Sequence, residues 1–222
     1  MATLIDLLIV VKVFLNRYNR SMAIALLGVN HTQTEIKNFE SIFLNKTDKN
    51  HFRDHFLHHD VIQELVVLTT CNRVEIYFVS ADIKHAAAVI IQILAQLKNI
   101  SVDHIQNQLT CYDQSDTVQH LCSVVSGVQS MVFGENEILS QVKEAYDNAL
   151  KQSITGPYLN KLFQVAIAVG KRVRAETNIS KGAYSVSSIA IEAIRQTQYD
   201  YFAKSICIVG CGTMGSRCLK KL

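Results

Sequence analysis

Residues 65–78 read LVVLTTCNRVEIYF, Leu65 to Phe78, and this stretch decides the fold. Leu65 to Leu68 form a short apolar run, rich in β-branched side chains and free of Gly and Pro, which predicts a buried strand. Val74 to Val79 resume with β-branched and aromatic residues and predict a second strand. The polar residues between them, Thr69 to Arg73, then become a short turn held at both ends, with Cys71 on it. A thiol reacts as its thiolate, and nearby positive charge or exposed backbone N–H groups lower its pKa. Arg73 is a permanent cation and a bidentate ligand for a carboxylate. One loop therefore offers a nucleophile and a carboxylate anchor. The alternative, a buried structural Cys with Arg73 in a surface ion pair, fits the polar TTCNR context less well.

Around this stretch the chain has 222 residues and 49% hydrophobic content, enough for one large domain or two small ones with a substantial core. A net charge of +3 permits a polyanionic partner without demanding one. Six cysteines, at 71, 111, 122, 207, 211 and 218, form no CxxC, which argues against a zinc finger and for reduced thiols in a cytoplasmic protein. One Pro and nine Gly predict long helices and few loops. Residues 1–21 carry an apolar run, Leu7 to Val11, that is too short to span a bilayer. Its basic residues follow the run, the wrong order for a signal peptide, so 1–21 is expected to be an N-terminal extension and no membrane partner is expected.

From Met22 the pattern is that of a domain. Ala23 to Val29 predict a strand that delivers Asn30 and His31 to a loop, and Thr34 to Leu44 have the spacing of an amphipathic helix. His51, His55, His58 and His59 would share one helical face, but no carboxylate or Cys completes a metal site, so a hydrated face is expected and no metal. Ala86 to Leu97 predict an apolar helix. Thr117 to Val128 predict another, with His120 beside its apolar face and Gly127 closing it. Gly134 precedes Glu135, Asn136 and Glu137 as a further helix begins, where acidic residues suit the positive end of the dipole. Gly156-Pro157 marks a turn before a helix over Leu159 to Val173, whose end carries Lys171, Arg172 and Arg174. These cations complement the helix dipole or could touch phosphate. Asn178 to Ser185 holds a domain junction, and Ser185 to Ile194 predict a helix.

Ser205 to Val209 then predict a short strand, followed by Gly210-Cys211-Gly212-Thr213-Met214-Gly215 and helix-forming residues. This is G-x-G-x-x-G in strand–turn–helix context, the arrangement that lets backbone approach a pyrophosphate. The acidic residue expected about 20 positions later lies past Leu222, and a βαβ unit needs about 30 residues, so the unit is expected to be incomplete in this chain.

Taken in order, GVNHT (28–32), TTCNRVEIY (69–77), QHLCSVVSGVQSMVFGENEILSQVKEAY (119–146), KRVRAETNIS (171–180), SVSSIAIEA (185–193) and IVGCGTMG (208–215) strongly resemble the glutamyl-tRNA reductase family. Its members turn glutamyl-tRNA into glutamate-1-semialdehyde with NADPH, the first step of tetrapyrrole biosynthesis. By resemblance, Cys71 is the nucleophile that attacks the aminoacyl ester and His120 is a histidine important for activity. Thr70, Asn72 and Arg73 resemble the residues around that nucleophile that recognise substrate. Ser130, Glu135, Asn136, Glu137 and Gln141 match positions lining the glutamyl pocket, and Gly210 to Gly215 match the NADP phosphate loop. Arg73 would take the substrate's side-chain carboxylate and Glu135 or Glu137 its ammonium. Two positions depart from the family pattern: Gln129 stands where an acidic residue is common and Ser140 where Gly is common, both expected to soften pocket packing.

The resemblance implies an α+β catalytic domain over 22–177. A linker helix and the first strand–turn–helix of an incomplete α/β Rossmann domain follow over 178–222. Family members are homodimers through a further helical domain that this sequence does not contain, and glutamate-1-semialdehyde aminomutase, the next enzyme of the pathway, is a candidate partner. With the cofactor half short, the chain is expected to form the Cys71 thioester and lose it to water as an esterase. A non-catalytic tRNA-binding or regulatory remnant is the alternative from another class, and a generic dinucleotide-dependent dehydrogenase is a third.

Overall fold

The structure, a computed structural model, describes residues 22–56, 60–180, 186–197 and 205–222. Its centre is a four-stranded sheet in the order β2-β3-β1-β4, antiparallel throughout. Strand β1 (Ala23–Asn30) and strand β3 (Arg73–Ser80) occupy the middle and are almost wholly buried. β2 (Glu64–Thr70) and β4 (Thr110–Asp113) form the edges. β2 and β3 are the hairpin expected from LVVLTTCNRVEIYF, with Thr70 opposite Arg73, so Cys71 and Asn72 alone make the turn.

Residues opposite one another across a sheet share a face, and the face alternates along each strand. Val74, Ile76 and Phe78 therefore lie with Leu65, Val67 and Leu27 on one side. That side is covered by α1 (Ile36–Ile42), α2 (Lys46–Phe56), α3 (Ile83–Lys98) and α4 (Val102–Gln108), which contribute Phe39, Phe52, Ile90, Leu94 and Ile105 to the core. Arg73, Glu75 and Tyr77 lie with Leu26 and Gly28 on the other side. α5 (Gln114–Val125), α6 (Glu137–Lys151) and α7 (Pro157–Glu176) pack there, and the Tyr77 ring meets Phe163 edge-on at 5.2 Å. The result is an α+β sandwich whose sheet has apolar side chains on one face and a polar row on the other.

Helix ends follow local chemistry. Asp82 accepts the N–H of His85 at 3.0 Å to start α3, and Asn99 ends it in the left-handed region with φ 52°. α5 closes as its Gly predicts. The Gly127 N–H reaches the Val124 carbonyl at 2.9 Å and the Val128 N–H reaches Ser123 at 3.1 Å, with Gly127 at φ +80°. α7 begins with Pro157 in its first turn, and the buried Glu64 carboxylate accepts the N–H groups of Tyr158 (3.0 Å) and Leu159 (2.7 Å). A carboxylate at the sheet edge thereby places the longest helix.

Some sequence expectations shift. His51 and His55 lie on α2, where the His55 ring takes the His51 carbonyl, while His58 and His59 lie outside the described residues. Among the described residues no cluster could hold a metal. Residues 186–197 form α8 (Val186–Thr197), and residues 1–21 lie outside the described part. The strand expected over Ser205 to Val209 is not formed: these residues have no ladder partner among the described residues, and Val209 is 96% exposed. A strand exists only through its neighbour's hydrogen bonds, so apolar composition alone leaves this segment irregular. Helix α9 (Thr213–Leu219) does follow the glycine turn. Among the described residues no single helix is long and apolar enough to cross a membrane.

Candidate functional site

The β2–β3 turn carries the thiol. Asn72 N–H bonds the Thr70 hydroxyl at 3.1 Å, and the Asn72 carbonyl accepts the His31 N–H at 3.0 Å, so the end of β1 braces the turn. Cys71 is left exposed at its tip, while Thr70 is buried beneath it.

Behind the turn the side chains of β3 alternate, so Arg73, Glu75 and Tyr77 form a polar row buried under α5. Glu75 Oε1 accepts from Arg73 Nη1 at 2.8 Å and from His120 Nε2 at 2.7 Å, and its Oε2 accepts the Tyr77 hydroxyl at 2.6 Å. The His120 ring stacks on Tyr112 of β4 at 5.0 Å. Burial works to raise the Glu75 pKa, yet the His120 hydrogen bond and the Arg73 charge prevail and bring it down to about 2. Burial, and after it the same carboxylate, pushes the Tyr77 phenol well above its usual range. Glu75 is thus a fixed anion that sets the orientation of both Arg73 and His120.

Arg73 Nη2 also donates to the Gln129 carbonyl at 2.6 Å, tying β3 to the loop between α5 and α6. This corrects the expectation for Arg73. The guanidinium is 1% exposed and its charge is answered inside the chain by Glu75; it does not stand free on the turn. The departure at Gln129 is harmless to this contact, which uses backbone, and Ser140 sits on the exposed side of α6, away from the loop.

The loop carries the remaining candidates. Ser130 is half-buried, and its hydroxyl has no partner among the described residues, as is true of His31 Nδ1 and the Thr69 hydroxyl. Glu135 and Glu137 stand close enough to Cys71 to act on it. Partial loss of water around the sulfur, then the Glu135 carboxylate, pushes the Cys71 thiol up; a backbone N–H of the turn lowers it, Glu137 raises it, and Arg73 lowers it by the smallest of these effects. Arg73 therefore acts on this thiol in the expected direction but is outweighed, because its charge is paired with Glu75 and buried. Replacing Glu135→Gln removes one raising charge. The pH dependence of Cys71 alkylation should shift toward lower pH, and an unchanged profile would show that Glu135 does not face the sulfur.

Arg174 of α7 holds this loop in shape. Its guanidinium donates to the carbonyls of Val125, Gly170 (3.0 Å) and Glu135 (2.9 Å) and to Asn136 Oδ1 (3.3 Å). Of the three cations expected at this helix end, Arg174 is a loop clamp and Arg172 pairs with Glu176. Gly134 makes the loop possible: it has φ +76°, and a Cβ there would collide with the Ile179 carbonyl. Gly134→Ala should cost at least about 1–2 kcal/mol in urea unfolding. Equal stability would mean the loop relaxes freely.

Gln141 lies one turn beyond Glu137 on α6 and is half-buried. Arg217 of α9 forms an ion pair with Glu137, so the glycine-turn helix touches the same corner. Gly210 has φ +110°, and a Cβ on Gly215 would strike the Gly210 carbonyl, so both glycines are required by this backbone. Sequence reasoning missed Glu75, Tyr77 and Tyr112, and read Arg174 as a dipole complement or a phosphate contact. The signal for the first two was present: three polar-tipped residues at i, i+2 and i+4 of an otherwise apolar strand share one face.

Comparison with known proteins identifies a family. A family model described as Glutamyl-tRNAGlu reductase, N-terminal domain, matches residues 27–177. Glutamyl-tRNA reductase from Crocosphaera subtropica is 35% identical over 201 residues, covering 90% of this chain and 47% of that protein. The protein of that name from Pelotomaculum thermopropionicum is 34% identical over 193 residues, covering 87% and 44%. The solved structure of glutamyl-tRNA reductase from Methanopyrus kandleri superposes with a TM-score of 0.64 at 32% identity, covering 89% of this chain and 45% of that one. The chain spans about half the length of the relatives it matches, and on this evidence it belongs to the glutamyl-tRNA reductase family.

Proposed function

We propose that this chain carries out the acylation half of glutamyl-tRNA reduction, with Cys71 as nucleophile. The observation that carries this is the placement of an exposed thiol at the tip of a braced hairpin, backed by a buried Arg73–Glu75–His120 network. The Cys71 thiolate attacks the ester carbonyl of glutamyl-tRNA. A C–S bond forms, the C–O bond to the terminal ribose breaks, and the released ribose oxygen takes up a proton.

The same electrostatics couple ionisation to binding. Glu135 and Glu137 hold the substrate's α-ammonium, and this positive charge offsets the part of the thiol's upward shift that, after burial, comes from those carboxylates. Arg73, buried and paired with Glu75, acts by positioning: it holds the 127–136 loop through the Gln129 carbonyl. Thr70, Asn72, Ser130, Asn136 and Gln141 are the further groups assigned to the glutamyl moiety, and the unpartnered Ser130 hydroxyl supplies a hydrogen-bonding group. His120, held by Glu75, polarises the carbonyl or assists the leaving oxygen.

A nicotinamide cofactor, NADPH in the family, supplies hydride to the thioester when bound. The positive φ at Gly210 and the close approach at Gly215 fit a backbone cradle, so Gly210 to Gly215 would hold its pyrophosphate. We assign 22–177 to acylation and 178–222 to the linker helix and the start of the cofactor-binding domain.

The test is incubation with glutamyl-tRNA labelled in the glutamate. Label that stays with acid-precipitated protein and is released by hydroxylamine, together with slow release of free glutamate, is the expected result. Absence of both would end the proposal.

A further inference from the structure

A groove of about 450 Å³ runs along the free edge of β2, between α2 and α6, away from the thiol but on the strand that leads to it. Leu65 and Val67 form its floor. One wall carries Lys46, Lys49 and Arg53 at i, i+3 and i+7, which places the three cations along one face of α2. The acids of that helix leave the cations in excess: Asp48 is bound by Lys98 at 2.6 Å, and Asp54 holds Arg53 only through an exposed, weakly held pair. The opposite wall contributes a single acid, Glu144, among amide side chains such as Asn148 that can donate to phosphate oxygens. The Leu65 N–H points outward to the Ile154 carbonyl at 2.8 Å, and the alternation of a strand turns the Val67 N–H the same way, toward the groove. From Val67 to Cys71 the strand covers about 13 Å at roughly 3.3 Å per residue.

We propose that this groove receives the phosphodiester backbone of the RNA strand whose end carries the glutamyl group, so that the strand runs along β2 toward Cys71. This rests on the acylation reading above and names where its macromolecular substrate lies. Three cations in a row, neutral donors opposite and an apolar floor suit successive phosphates with a sugar or base between them.

The experiment titrates fluorescently labelled uncharged tRNA(Glu) against the full chain and against a Lys46→Gln, Lys49→Gln, Arg53→Gln variant at several salt concentrations. In parallel, Cys71 acylation by a small glutamate α-ester and the melting temperature are measured. The variant should bind about tenfold or more weakly at ~0.1 M salt, with a log–log salt slope shallower by about 2, at roughly 0.7 per lost contact. Small-ester acylation and melting should not change. Equal affinity and slope in both proteins would overturn the proposal. Displacement of tRNA by polyglutamate as effectively as by unlabelled tRNA would also overturn it, as a general anion surface. If neither protein is acylated by the small ester while tRNA affinity still depends on the three cations, the acylation reading fails and the groove stands.

Discussion

Cys71→Ser is expected to abolish both retained label and glutamate release, lowering the rate of deacylation of glutamyl-tRNA by at least about 10³-fold. The argument lies in what surrounds the sulfur. A serine hydroxyl needs a base to remove its proton, and the charges that act most strongly on position 71 are the carboxylates of Glu135 and Glu137. Carboxylates are weak bases, and a serine hydroxyl is far less acidic than a thiol. A thiol needs less help, since an ammonium docked on those carboxylates is enough to lower its pKa. The turn itself should be untouched by the change. Its hydrogen bonds run from Asn72 to Thr70 and from His31 to Asn72 and use no atom of the Cys71 side chain. The variant should therefore melt with the parent chain and bind uncharged tRNA equally. Equal tRNA binding with no turnover in either protein would favour a non-catalytic RNA-binding role.

How much of this was legible in the sequence depended on the range of the interaction. The hairpin could be read because two apolar runs and a polar break are local, and Gly127 announced the end of α5 because a left-handed residue after a helix is a local requirement. The position of Cys71 on that turn was legible for the same reason. Arg73 was misjudged because its neighbour in sequence, Cys71, is not its partner in space: strand alternation turns the guanidinium inward to Glu75 and on to a carbonyl 56 residues away. Arg174 was read as a dipole complement because its four acceptors lie on α5, on α7 and in the Glu135 loop, and only the packing of α7 assembles them. Glu64 as the cap of a helix more than 90 residues downstream was invisible in the same way. The unformed strand at 205–209 shows the converse, since composition can specify a strand only where a partner strand completes it.

The largest effect on stability is expected at Glu75. Truncation to Ala leaves the Arg73 guanidinium, 1% exposed, without its counter-charge, and breaking one side of a buried pair costs about 3–5 kcal/mol. The cost should also depend on pH in a defined sense. The native Glu75 pKa, about 2, lies below the ordinary 4.5, so the folded state favours the carboxylate. That contribution is complete above about pH 4.5 and is lost as pH falls toward 2. Urea unfolding of the parent chain and of Glu75→Ala should therefore differ most near neutrality and converge on acidification below pH 4.5. A gap of constant size down to pH 2.5 would show that the carboxylate is not the anion on which Arg73 and His120 depend. A third protein separates fold from function. With Arg73→Met, Glu75→Leu and His120→Leu together no buried charge remains unpaired, and such replacements are often neutral or stabilising. It should fold at least as well as Glu75→Ala, yet the tether from β3 to the Gln129 carbonyl is gone and the 127–136 loop is no longer held against the hairpin. Glutamyl transfer to Cys71 should then fall although the fold survives, which is the outcome expected if this network is kept for the site and not for the core.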